Sequence, residues 1–111
     1  AGAKVYEIEG PLFFGSTESL RKIYESASKH EVLIIDMSHI TMIDLSGAFA
    51  LEDLLKNIQS QGIDVIISGV QHNIKKVLEE LDFFDNIGNK NYFDSKSSVT
   101  SFILENFKQI N

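Results

Sequence analysis

Apolar positions recur with two different periods along this 111-residue chain. Val5-Tyr6-Glu7-Ile8-Glu9 alternates, whereas Val32–Met37 and Asp64-Val65-Ile66-Ile67-Ser68 are almost continuously apolar. Alternation predicts a strand with one wet face, and a short β-branched run between polar residues predicts a strand covered on both faces. Between these runs the spacing turns helical. Leu20, Ile23, Tyr24 and Ala27 follow the capping sequence Gly15-Ser16-Thr17. Phe49, Leu51, Leu54, Leu55 and Ile58 predict a helix from Ser46 to about Gln59, and Ile74, Val77, Leu78 and Leu81 predict one over Asn73–Leu81. Val99, Phe102, Ile103 and Phe107 predict a last helix opening at Asp94-Ser95.

The punctuation between elements is explicit. Gly10-Pro11 is expected to end the first strand and leave Leu12-Phe13-Phe14 as a separate short apolar piece. Gly62 stands where a helix-ending glycine belongs. Ile87-Gly88 and Tyr92-Phe93 frame a last short extended segment. Strands alternating with helices of this length predict an α/β domain with a mostly parallel sheet. There is no repeat or linker, so residues 1–111 read as one domain, with Ala1-Gly2-Ala3 read as an expression remnant.

Composition narrows the function classes. The net charge of −6 with ten Lys and Arg argues against nucleic acid, which needs clustered cations; Lys75-Lys76 is the only adjacent basic pair apart from Arg21-Lys22. The absence of Cys removes disulfides and thiolate metal sites. His30, His39 and His72 lack zinc-ligand spacing, and no nucleophile elbow or carboxylate pair in an evident cleft appears. The chain therefore reads as non-catalytic, with no metal and no cofactor. The apolar runs are too short to span a bilayer, and no signal peptide pattern opens the chain.

The richest segment is Val32–Gly47, in which an apolar run reaches Asp36 and Asp44-Leu45-Ser46-Gly47 precedes a helix. Asp44 and Ser46 are both favoured capping residues at a helix mouth, where N–H groups point outward and the dipole is positive. Such a place can hold or present a phosphate. Ser46 reads either as a phospho-acceptor or as a capping serine worth about 1 kcal/mol. Asp44 reads as a partner-binding carboxylate or as a cap, and Asp36 as the structural end of its strand. One member of each aromatic pair, Phe13-Phe14 and Phe83-Phe84, is expected in the core.

Asp44-Leu45-Ser46-Gly47, together with Gly10-Pro11-Leu12-Phe13-Phe14-Gly15, resembles the signature of the STAS domain. That family is shared by bacterial anti-sigma factor antagonists and the cytoplasmic tails of SulP-type anion transporters. The Gly10–Gly15 segment is more similar to the transporter tails. The resemblance implies a mixed, mostly parallel sheet of four or five strands with about four helices packed mainly on one side. It implies a regulatory domain at the cytoplasmic face of the inner membrane, part of an integral membrane sulfate or anion permease.

On the same resemblance, the partner-binding loop and rim comprise Asp44, Leu45, Ser46, Gly47, Pro11, Phe14, Thr17 and Ser68. The rim gathers Pro11–Thr17, Ser38–Gly47 and Ser68–His72 beyond the strand carboxyl ends. Its partner is expected to be the transmembrane domain of the parent transporter, a soluble regulatory protein or an acyl carrier protein. A nucleotide is a further candidate, although the chain lacks both common phosphate-binding glycine motifs. The rival reading is a stand-alone anti-sigma factor antagonist in which the residue matching Ser46 is phosphorylated.

Overall fold

A computed structural model of the chain describes residues 2–13, 17–88 and 92–93. Its elements are β1 (Ala3–Leu12), α1 (Thr17–Ala27), β2 (Val32–Ile43), α2 (Leu45–Ser60), β3 (Asp64–Ser68), α3 (His72–Glu80), α4 (Phe83–Ile87) and β4 (Tyr92–Phe93). The strands form one sheet in the order β1-β2-β3-β4, and each described pairing is parallel. Parallel crossovers are right-handed, so a sheet built in sequence order carries its helices on one face. The core agrees. Ile23 and Ala27 of α1, Leu51, Leu55 and Ile58 of α2, Ile74 and Leu78 of α3, and Phe83 and Ile87 of α4 join one buried cluster with Leu33, Ile35, Val65 and Ile67 of the sheet. The expected α/β class, mostly parallel sheet and helical side are all present.

Local sequence explains most boundaries. β3 covers the apolar run Asp64–Ser68, and α2 ends at Ser60, with Gln61 as its C-cap and Gly62 following at φ +84°, the left-handed geometry that glycine supplies at a helix end. Val32, Leu33, Ile34 and Ile35 are all buried, as a strand covered on both faces requires. Two boundaries differ from expectation. Gly10-Pro11 does not break β1, which runs on to Leu12. Proline is tolerated because β1 is an edge strand, and the pairing shifts register between Gly10 and Leu12. Residues 83–87, to which the pattern assigns no helix, form the short helix α4, and both Phe83 and Phe84 are buried rather than one of the pair. The helix expected after Asp94 lies outside the described residues.

The largest departure is β2. Its apolar run ends at Met37, yet the strand continues to Ile43. Beyond Met37 the buried side chains are Ile40 and then the half-buried Ile43, spaced by three rather than two. A regular strand would turn alternate members of that series to the wrong face. Two register shifts correct this. Glu7 pairs with Asp36 but Glu9 with His39, and Gly10 pairs with Ile40 but Leu12 with Ile43. Each shift places one extra residue in β2, which is a β-bulge, and each returns an isoleucine to the helical face.

Candidate functional site

The bulged half of β2 delivers the chain to Asp44. Asp44 has extended backbone geometry, and its Oδ1 accepts a hydrogen bond of 2.6 Å from the Gly47 amide. Asp44 is therefore the N-cap of α2, and the helix begins at Leu45. Ser46 is the second helical residue, exposed, and does not serve as the cap. Its hydroxyl stands beside the first turn of a 16-residue helix, where the dipole is positive.

This corner is locked to the end of β1. The Asp44 amide donates to the Leu12 carbonyl at 3.3 Å. Gly47 is buried, and a Cβ built there would collide with the same Leu12 carbonyl oxygen. Only glycine lets the helix pass so close to the strand end. The two motif segments, Gly10–Phe13 and Asp44–Gly47, are thus one structural unit.

Around it the surface is apolar. Leu45 and Phe49, one helical turn apart, are 57% and 49% exposed. Met42, just before the cap, is 59% exposed, and Phe13, just after Leu12, is 40% exposed. Pro11 is exposed on the neighbouring edge strand. Four large apolar side chains are thus exposed on the segments that meet at this junction. Phe49 had the spacing of a core residue, but the buried face of α2 is formed by Gly47, Ala48, Leu51, Leu55 and Ile58.

The expected rim is not continuous. Ser68 pairs with Asp36, seven residues before Ile43, so β3 ends roughly 20 Å short of the Asp44 corner. The loop after β3 instead meets the first bulge, where the Gln71 side-chain amide donates to the Ser38 carbonyl at 2.6 Å. Ser68 itself is fully buried, which removes it from the predicted contact surface. Phe14 lies outside the described residues; of Thr17, only its place as the first residue of α1 is described.

Asp36 does not end its strand. It lies within β2, fully buried, and its Oδ1 accepts the Ser38 amide at 3.0 Å. That bond holds the backbone at the first bulge, where an amide leaves the regular ladder. Register also brings the carboxylates of Glu7 and Asp36 and a ring nitrogen of His39 to within 4.8 Å of one another. Carboxylate and imidazole are metal-ligand chemistry, and this grouping was invisible in the sequence because Glu7 and Asp36 meet only through pairing. Nothing in its spacing could have signalled it.

The family model of the STAS domain matches residues 1–99. YvdB, a Bacillus subtilis (strain 168) protein assigned as a sulfate transporter, is 32% identical over 98 residues, covering 86% of this chain and 18% of YvdB. The chain thus spans under a fifth of the curated relatives it matches first. The SulP transporter STAS domain from Vibrio cholerae superposes with a TM-score of 0.81 at 24% identity, covering 96% of this chain and 84% of that one. The anti-sigma factor antagonist SpoIIAA, in its unphosphorylated form, superposes with a TM-score of 0.68 at 14% identity over 94% of this chain and 90% of its own.

Proposed function

This chain belongs to the STAS-domain family, and from that membership we propose that it is the non-catalytic regulatory domain of a SulP-type sulfate or other anion permease. The domain sits on the cytoplasmic face of the membrane and acts by protein–protein contact. Its working surface is the corner built from Asp44–Gly47, the first turns of α2 and the end of β1. The observation that carries this reading is the exposed apolar group Phe13, Met42, Leu45 and Phe49 beside a capped helix mouth. Such side chains are costly to leave in water and gain from a partner surface, at about 25 cal/mol per Å² buried. The relatives' assignment to sulfate transport supports the transmembrane domain of the same polypeptide as that partner. Among the described residues no helix is long and apolar enough to cross a membrane, so the spanning part would be supplied by other segments. The test is uptake of radiolabelled sulfate by the full-length protein carrying Leu45→Asp and Phe49→Asp. Loss of uptake at normal membrane abundance supports the contact, and unchanged uptake refutes it.

A second reading is favoured by one observation. Ser46 is exposed at the helix mouth while Asp44 does the capping. Its hydroxyl is therefore open to a kinase, as an anti-sigma factor antagonist requires. A phosphoryl group would add roughly −1.5 to −2 charges beside the positive dipole end, with the Asp44 carboxylate two residues away opposing it. Phosphorylation would turn an apolar contact surface into a strongly anionic one. A Ser46→Asp variant that loses its partner while Ser46→Ala keeps it would establish this switch.

A further inference from the structure

All the sulfur of this chain resides in two methionines, for there is no Cys. Both lie in β2, in opposite surroundings. Met37 is fully buried in the core, whereas Met42 is 59% exposed, more than any other large apolar residue among those described. We propose that the Met42 thioether is a reversible oxidation site through which hydrogen peroxide regulates the contact surface proposed above. This regulation presupposes that the Asp44 corner is a contact surface.

The chemistry is a two-electron oxygen transfer. A sulfur lone pair attacks one peroxide oxygen, and the O–O bond breaks. The sulfur keeps that oxygen, and the other leaves as water with both protons. The thioether is oxidised to a sulfoxide while the peroxide is reduced to water. Methionine sulfoxide reductases reverse the step, with two thiols giving up the electrons to form a disulfide and the oxygen leaving as water.

Three features single out Met42. The first is access. Attack on the sulfur needs contact with solvent, which Met42 has and Met37 lacks. No thiolate of this chain competes for the oxidant.

The second is tolerance. Ile40 is buried and Ile43 packs against the core cluster, so these two side chains anchor this stretch of β2. The pairing of Gly10 with Ile40 and of Leu12 with Ile43 is made by backbone. A sulfoxide at position 42 therefore alters the surface and leaves the fold in place. The same oxygen on Met37 would be a polar group forced into a closed core.

The third is position. Met42 stands two residues before the Asp44 cap, and the exposed Leu45 and Phe49 follow on the first turns of α2. Oxidation turns a flexible apolar side chain into a polar one at that place. A partner seated on the corner would have to strip water from the new S–O dipole, which weakens the contact.

The test uses the full-length protein in reconstituted vesicles, as the parent sequence, as Met42→Leu and as Met42→Gln. Each is treated with hydrogen peroxide and compared with its own untreated sample. Mass spectrometry locates the added oxygen, and sulfate uptake reads the effect. The proposal expects oxygen on Met42 while Met37 stays unmodified, with uptake by the parent falling and recovering after a methionine sulfoxide reductase. Met42→Leu should hold its untreated rate, and Met42→Gln, polar without any oxidant, should show lowered uptake from the start. Oxidation of Met37 as fast as Met42, equal losses in the parent and Met42→Leu, or an oxidised Met42 with unchanged uptake would each overturn it. Leu45→Asp/Phe49→Asp, run alongside, separates the two levels. If that variant loses uptake while oxidised Met42 does not, only the oxidation site fails. If that variant transports normally, the contact reading fails and the oxidation site falls with it.

Discussion

The two halves of β2 are built for different work. Residues 32–36 pair with β1 on one side and β3 on the other, and they and Met37 are all buried. Residues 38–43 pair with β1 alone, and Thr41 and Met42 are exposed. The first half is core. The second is an arm, bent by two bulges, that carries Asp44 past the end of β3 and presents the mouth of α2 to solvent. Burial gives the first half its stability, and projection leaves the second exposed beside the mouth of α2.

That contrast can be broken most severely in the core. Ile35→Ala should cost about 2–5 kcal/mol by removing buried methylenes and leaving a cavity, whereas Met42→Ala should stay within about 0.5 kcal/mol. Urea unfolding of the two variants reads the difference directly. A Met42 loss as large as that of Ile35 would show that the arm is core after all.

The junction between arm and helix comes next. Gly47→Ala forces a methyl against the Leu12 carbonyl and should destabilise by about 1–3 kcal/mol, with the strongest amide shifts at Leu12 and Asp44. The cap is weaker. Asp44→Ala should cost about 1 kcal/mol, while Asp44→Asn, which retains the acceptor oxygen, should recover most of it. Ser46→Ala should leave the melting temperature within about 2 °C, because Ser46 caps nothing.

The smallest effect is electrostatic and lies outside the contrast, on the exposed face of α1. The Arg21 guanidinium, by hydrogen bond and charge, holds the Glu18 carboxyl below its ordinary value of 4.5. A depressed carboxylate stabilises the fold above its unfolded value and loses that contribution as pH falls through the folded one. Glu18→Gln should therefore flatten stability slightly below about pH 4.5 and change little at pH 7, since exposed pairs are worth little. Acid titration of the two proteins by circular dichroism checks the sign.

How much of this was readable beforehand depended on how local the cause was. β3 was legible residue for residue because its apolar run and its boundaries coincide. The arm was not, because Met37, Ile40 and Ile43 recur every three residues, which matches no strand period. Only the β1 template, through two register shifts, makes a strand of that spacing. α4, at five residues, is too short to show helical periodicity. At the candidate site, Asp44 and Ser46 were both plausible caps, and the start of the helix at Leu45 decides between them. Ser68 followed an apolar run and looked like a rim residue, but strand length places it level with Asp36 instead. Offsets between strands are long-range facts that no window of sequence contains.

The most direct test of the account is anion uptake by the full-length protein bearing Leu45→Asp and Phe49→Asp, measured beside the melting temperature of the same variant of the isolated domain. The account predicts an intact domain, melting within a few degrees of the parent, and a permease with strongly reduced uptake at normal abundance. An intact domain with unimpaired uptake would contradict it, because the exposed corner would then serve no contact with the transporter.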